Sequence, residues 1–275
     1  MSVQQFQEEV NQGQRFEFGK NWRNFLSVLD DGRIHEAEAP IETMLGSVEG
    51  KDFLDVGCGS GLFSLAVCRL GARRVHSLDY DPRSVECAQE LRRRYVPGSD
   101  SWTIQQGSVL DTGYLDSLGT WAIVYSWGVL HHTGNMWAAL QNVSSLVCPG
   151  GVLWISIYNA SRTSPLWASV KSFYNRGRWQ RLAVSAVLIP YLASRATAGD
   201  LVVRHQGVIR GFREYRRRRG MSRFHDWIDW LGGFPYEVAS VEQIFDFYVS
   251  RGFSLERLAT AGGGKGCNQF VFRKL

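Results

Sequence analysis

Residues Phe53-Leu-Asp-Val-Gly-Cys-Gly-Ser-Gly-Leu-Phe63 constrain the fold of this chain more than any other stretch. Phe53, Leu54 and Val56 form a short apolar run that stops at Gly57, Gly59 and Gly61, and helical apolar spacing resumes from Leu62 to Leu70. The pattern predicts a strand, a tight turn and a helix. Glycine suits such a turn because a Cβ would clash in the left-handed region and would hold a ligand away from the backbone. Val75 to Leu78 predicts a second strand ending at Asp79, 18 residues beyond Gly61. An acid about 20 residues after such a turn is placed to accept hydrogen bonds from ribose hydroxyls. The two elements together read as a nucleoside site.

The third glycine separates two ligand classes. Dinucleotide sites favour Gly-x-Gly-x-x-Gly, which would put glycine at position 62, where this chain has Leu62; nicotinamide-dependent oxidoreduction is therefore disfavoured. Asp55-Val-Gly-Cys-Gly-Ser-Gly61, with Asp79, resembles the first motif and the ribose-binding acid of class I S-adenosylmethionine-dependent methyltransferases. The resemblance implies S-adenosyl-L-methionine as cofactor and S-adenosyl-L-homocysteine as product. It also implies an α/β fold, a Rossmann-like, mostly parallel seven-stranded sheet with a C-terminal antiparallel hairpin. In that family the loop spanning Asp55, Gly57, Cys58, Gly59 and Gly61 holds the methionine part and Asp79 the ribose. Tyr80 and Val109 would flank adenine, and Ser108 stands where the family often has an acid facing the adenine amino group.

Strand and helix signals keep alternating after the loop. Pro82 to Tyr95 predicts a helix capped by Asp81, and Trp102 to Gln106 a third strand. Trp121 to Trp127 is almost continuously apolar, as expected of a strand covered by helices on both faces. Asn135 to Val147 predicts a helix stopped by Pro149-Gly150-Gly151, and Val152 to Tyr158 a fifth strand. The order then breaks until the helical Val241 to Arg251 and two strands, Phe253 to Ala259 and Cys267 to Arg273, around Gly262 to Gly266. Three units are expected: an N-terminal helical cap over 1–45, a core over 46–158 and 239–275, and a helical insertion over 159–238 that forms a lid.

Val124-Tyr-Ser-Trp-Gly-Val-Leu-His-His-Thr-Gly134 is similar to the ubiquinone-biosynthesis-like branch of small-molecule methyltransferases, in which a Leu-x-His element follows the fourth strand. His131 and His132 fall at the sheet edge where open α/β folds bind ligands. Histidine's ordinary pKa near 6.5 suits removal of a proton from an acceptor hydroxyl or amine. His132 is preferred over His131 as this base, with loop hydrogen bonding and packing as the alternative for both. Trp127, Tyr158 and Asn159 end strands on the same edge, Trp127 placed against cofactor and acceptor, Tyr158 and Asn159 against acceptor. Ser126-Trp-Gly-Val129 replaces the Asp/Asn-Pro-Pro-Tyr of many methyltransferases acting on nucleobase or glutamine nitrogen, which disfavours that chemistry. No carboxylate or third histidine lies at ligand spacing near the pair, so no metal is expected.

With 275 residues and 44% hydrophobic content, the chain can bury one large core carrying an insertion. Five cysteines, odd in number and without CxxC spacing, together with a polar start, suit a reduced, cytoplasmic protein. The longest apolar run, Leu182 to Ala193, includes Ser185 and Pro190 and falls short of the roughly 20 residues of a membrane span. Charge is uneven: residues 159–235 hold 14 Lys and Arg against 4 Asp and Glu, and the remainder 17 against 22. A basic, aromatic lid suits an anionic or aromatic small molecule, and a lipid-like acceptor or peripheral membrane contact ranks next. Nucleic acid is disfavoured as a partner, because no RNA-binding motif accompanies Arg216-Arg-Arg-Arg219. The leading expectation is methyl transfer to a small-molecule hydroxyl by in-line displacement. RNA methylation through the Arg-rich insertion, or a non-catalytic cofactor-binding regulator, are the alternatives, and the oligomeric state is left open.

Overall fold

Along β1 (Asp52–Val56) successive side chains enter two different apolar clusters, Phe53 one and Leu54 and Val56 the other. β4 (Trp121–Trp127) sorts Ile123 and Tyr125 from Val124 in the same way, and β5 (Val147–Tyr158) sorts Trp154 from Leu153 and Ile155. A strand that is apolar on both faces must be covered on both, which calls for helices in front and behind. The computed structural model, which describes residues 3–26, 29–203, 207, 210–211, 223–262 and 266–275, shows that arrangement. Arg216–Arg219 and residues 263–265 of the glycine-rich turn lie outside the described residues.

The chain opens with α1 (Val3–Asn11), α2 (Gly19–Leu26) and α3 (Asp31–Leu45). After β1 come α4 (Leu62–Arg69), β2 (Arg74–Asp79), α5 (Pro82–Tyr95), β3 (Trp102–Gln106) and α6 (Thr112–Leu118). β4 leads through the 3-10 turn Leu130–His132 into α7 (Met136–Ser145) and then β5. The insertion supplies α8 (Ser164–Asn175), α9 (Arg178–Ala198), which runs on into a π-helical turn Gly199–Val203, and α10 (Arg223–Gly232). The core resumes with α11 (Val241–Val249), β6 (Phe253–Ala259) and β7 (Cys267–Lys274). Residues of α3, α4 and α5 fill one face of the sheet, and residues of α6, α7 and α11 the other.

The sheet order is β3-β2-β1-β4-β5-β7-β6, with β7 antiparallel to both neighbours and the other pairings parallel. Leu54 pairs with His76 on one side and Val124 on the other. The chain leaves β1 for β2 and β3, then returns to place β4 on the opposite side of β1. The loops after β1 and β4 therefore diverge and leave a crevice at their carboxyl ends, where such sheets bind ligands. The expected break at Pro149-Gly150-Gly151 is an irregularity within β5: the register moves from Trp121–Val147 to Ile123–Val152, and pairing spans it. The insertion leaves and returns at one point, since Ala239 N–H donates to Tyr158 O at 3.0 Å and Ala160 N–H to Ala239 O at 3.0 Å.

A directed hydrogen-bond chain runs beneath the glycine loop. Trp102 Nε1–H donates to Ser77 Oγ at 2.7 Å, and Ser64 Oγ, 2.7 Å from Ser77 Oγ, donates to Asp55 Oδ2 at 2.5 Å. Ser64 spends its single proton on Asp55, so Ser77 must be the donor between the two hydroxyls. Asp55 is 1% exposed, and burial raises its pKa to about 7 against the lowering effect of the Ser64 hydrogen bond. An aspartate near 4 in the unfolded chain and near 7 in the fold leaves the native state holding the extra proton between those values. Stability contributed by this group is therefore lost as pH rises from about 4 to about 7. Asp55→Asn keeps an acceptor for Ser64 and removes the titration. Its melting temperature is expected to fall less steeply than the wild type's over that range, measured by thermal melts at several pH values.

Candidate active site

The three glycines adopt the left-handed backbone that the turn demands, with φ of 83° at Gly57, 54° at Gly59 and 80° at Gly61. Their neighbours explain why side chains are excluded. A Cβ on Gly57 would lie 2.4 Å from Val129 Cγ1, and one on Gly61 2.7 Å from the Ala88 Cβ of α5. A Cβ on Gly59 would sit 3.1 Å from the indole of Trp22. The loop is thus bounded by Val129 after β4 and by Trp22 from α2.

Three successive amides of this loop are committed to the end of β2. Gly57 N–H and Cys58 N–H both donate to Leu78 O, at 2.8 and 3.0 Å, and Gly59 N–H donates to Asp79 Oδ2 at 2.8 Å. Asp81 N–H takes the other oxygen, Asp79 Oδ1, at 2.9 Å. The Asp79 carboxylate is half-buried, and burial raises its pKa to about 7 despite these two donors. Two ionised oxygens offer about four acceptor positions, so two backbone donors leave room for a pair of hydroxyls. Those residues fit an adenosyl ribose at Asp79. The N–H groups of Gly57 and Cys58 are both committed to Leu78 O.

Tyr80 continues from Asp79 and is held by the N-terminal segment. Its hydroxyl donates to Glu9 Oε1 at 3.0 Å, Phe6 packs edge-on at 5.4 Å, and the Arg15 guanidinium lies 4.8 Å from the ring centre. Ser108 is buried and its Oγ accepts Leu110 N–H at 3.1 Å, while Val109 joins the apolar core. Asp81, which the sequence offered only as a helix cap, also reaches back to the N-terminal segment. Its Oδ2 accepts Gly19 N–H at 2.7 Å and anchors the start of α2 beside the nucleoside end.

Across the crevice, Trp127 ends β4 with 38% of its surface exposed, and the 3-10 turn carries His131 and His132 inward, 1% and 8% exposed. His132 Nδ1 lies 2.6 Å from Pro235 O. A carbonyl can only accept, so Nδ1 carries the proton and Nε2 keeps its lone pair. His131 Nδ1 accepts Tyr158 N–H at 3.4 Å, and its ring lies 4.1 Å from that of Tyr158 and 4.4 Å from that of His132. Burial lowers His132 to about 3 and His131 well below the usual range, with nearby positive charge adding to both. Both therefore depart from histidine's ordinary value near 6.5, because the insertion buries the two rings and favours their neutral forms. Asn159 turns toward the hairpin, donating its N–H to Gly266 O at 2.9 Å and accepting Asn268 Nδ2–H at 3.0 Å. Tyr158 joins the histidines; Asn159 is engaged with the core.

The sequence reading missed Lys171. It is fully buried in α8, donates to Trp230 O, and is ringed by Tyr236, Trp230 and Tyr158 at 5.0, 5.1 and 6.0 Å from Nζ to the ring centres. Burial pushes its pKa down to about 7, and its charge is felt at both histidines. A signal for it was present: Trp167, Lys171 and Tyr174 share one stripe of the helix. Arg15 was missed too. It donates to His132 O at 3.0 Å while pairing with Glu9 at 2.9 Å, linking the acceptor edge to the helix over Tyr80.

Residues 54–155 match a family model described as a methyltransferase domain. The chain is 28% identical over 142 residues to the ubiquinone biosynthesis O-methyltransferase of Bordetella avium (strain 197N), covering 49% of this chain and 54% of that protein. It is 32% identical over 117 residues to the ribosomal protein L11 methyltransferase of Anoxybacillus flavithermus (strain DSM 21510 / WK1), covering 37% of each. The chain thus spans about half or less of the length of the curated relatives it matches. Magnesium protoporphyrin IX methyltransferase of Synechocystis PCC 6803, crystallised with bound SAH, shares the fold with a TM-score of 0.53 at 16% identity, over 89% of this chain and 84% of that one. The glycine loop and the acid ending β2 both lie within residues 54–155, and this stretch of the chain is similar to the class I S-adenosylmethionine-dependent methyltransferases.

Proposed function

We propose that this protein transfers the methyl group of S-adenosyl-L-methionine to a hydroxyl oxygen of a small-molecule acceptor, releasing S-adenosyl-L-homocysteine. The observation that carries the reading is the half-buried Asp79 carboxylate, pinned by two backbone amides beside a loop that admits no side chain at Gly57 or Gly59. When bound, the cofactor supplies a sulfonium methyl carbon that accepts the oxygen lone pair as its bond to sulfur breaks. The protein's contribution is chiefly position: aligned reactants about 3 to 3.5 Å apart avoid much of the entropic and solvent cost of meeting. Similarity to ubiquinone biosynthesis O-methyltransferases supports oxygen as the methylated atom.

His132 is assigned the acceptor proton. Its Nδ1–H is anchored on Pro235 O, so Nε2 has the free lone pair, and Gly233 leaves space beside it, a Cβ there falling 2.9 Å from His132 Cε1. Lys171 sets how readily that proton is taken. While it is an ammonium it opposes charge on the imidazole; once neutral, above about pH 7, it no longer does.

Two measurements test this reading. Ribose hydroxyls donate to the ionised form of Asp79, so calorimetric affinity for S-adenosylhomocysteine is expected to rise with pH through about 7 and level off above it. Asp79→Asn should flatten that dependence and weaken binding roughly ten- to hundredfold, hydrogen bonds to a charged group being worth about 1.5 to 3 kcal/mol. No binding of either cofactor form to the wild type refutes the assignment. At saturating cofactor, kcat should rise through about pH 7. Lys171→Met should remove that inflection, and His132→Ala should lower kcat by about 10²-fold with little change in cofactor affinity. An inflection that survives in Lys171→Met removes the lysine from the reaction.

A further inference from the structure

A helix packed against a protein body in water normally presents charged side chains outward. α9 does the reverse. Trp179, Leu182, Val187 and Tyr191 are 67%, 60%, 69% and 49% exposed, and Ala183 and Ala186 fill the same outward stripe at three- and four-residue spacing. The inner edge is apolar as well, Val184, Leu188 and Ile189 packing into a cluster with Phe16, Tyr174 and Leu231. No residue of α9 is buried.

Charge along α9 itself has one sign, Arg178, Arg181 and Arg195 being its only charged residues. No Asp or Glu occurs between Asp116 and Asp200. Each end of the helix carries an exposed arginine beside an aromatic ring: Arg178 lies 4.9 Å from the centre of Trp179, and Arg195 5.9 Å from that of Tyr191. An apolar strip closed at both ends by cation and aromatic is complementary to a bilayer surface, whose acyl boundary takes the apolar chains and whose anionic headgroups take the guanidiniums. The helical stretch Arg178–Val202 is long and apolar enough to cross a bilayer by length and composition, further than the run Leu182–Ala193 suggested, because helix continues through Ser185 and Pro190. Its inner face is packed on protein, however, and its end is fixed by a buried pair in which Arg223 meets Asp200 at 2.5 and 3.0 Å. Held along its length, it is placed to lie in the interface.

We propose that α9 is a membrane-docking face that seats its outward stripe at the headgroup and acyl boundary of a bilayer carrying anionic phospholipid. The cluster behind α9 leads to the methyl-transfer edge, Phe16 packing on Phe18 at 5.0 Å and Phe18 on His132 at 5.2 Å. Docking and chemistry thus share one packed wall, although the proposal holds whichever acceptor is methylated.

The test is co-sedimentation of the full chain with vesicles of phosphatidylcholine, with and without phosphatidylglycerol. Binding is expected to be about tenfold or more tighter to the mixed vesicles and to weaken with salt. The double substitution Leu182→Glu and Val187→Glu should reduce binding at least about tenfold while circular dichroism and the cooperative melt remain those of the wild type. Should that variant unfold, Arg178→Gln with Arg195→Gln provides the second arm, expected to lose most of the preference for phosphatidylglycerol. Failure of the wild type to bind either vesicle overturns the proposal, as does binding that ignores both pairs of substitutions. A dimer seen by sedimentation velocity, broken by the glutamates in a protein that does not bind vesicles, would give the stripe to a second copy of the chain and likewise overturn it.

Discussion

Three consecutive amides, those of Gly57, Cys58 and Gly59, hydrogen-bond to the last two residues of β2, and the site depends on that tie. It exists only because β1 and β2 are parallel neighbours in register, Val56 opposite Leu78, so that the turn leaving one strand meets the end of the next. The left-handed glycines let the turn fold back far enough to reach it. Val129 then closes over Gly57 from the far side of the switch in strand order, joining the loop after β1 to the loop after β4. The proposed nucleoside and acceptor sites are thus built against one another by backbone geometry before any reactive side chain is considered.

Burial decides what the reactive groups can do. His131, His132 and Lys171 come together only when α8, α10 and the return segment through Pro235 pack on the edge of the sheet. Two neutral imidazoles and an amine near its midpoint are the expected outcome when basic groups share a dry, aromatic enclosure, since each added charge costs desolvation and repels the others. The same enclosure places the rings of Tyr158 and Tyr236 around Lys171.

The cofactor half was legible in the sequence because its signals are local. Gly57, Gly59, Gly61 and Asp79 fall within one strand-turn-helix-strand unit, and the apolar run Trp121 to Trp127 announces a strand covered on both faces. The acceptor half was legible only in outline. His131 and His132 could be placed at the sheet edge from their position after β4, but their protonation depends on residues more than 30 positions away. Lys171 looks like an ordinary surface lysine unless its stripe with Trp167 and Tyr174 is noticed. Arg15 and Asp81 act through partners 117 and 62 residues distant, at His132 O and Gly19 N, and no periodicity encodes such pairings.

Those long-range contacts make the N-terminal segment a strut between the two halves. Asp81 grips Gly19 at the nucleoside end, Glu9 takes the Tyr80 hydroxyl, and Arg15 joins Glu9 to the carbonyl of His132. Phe16 N–H donates to Phe234 O at 3.0 Å, one residue before the carbonyl that orients His132. Tyr80 is thereby connected through two charged side chains, Glu9 and Arg15, to the turn holding the proposed base. Each link is a hydrogen bond or ion pair made by a side chain or a short loop, individually worth on the order of 1 to 3 kcal/mol in net terms. Bonds of that strength are enough to align the two ends of the segment.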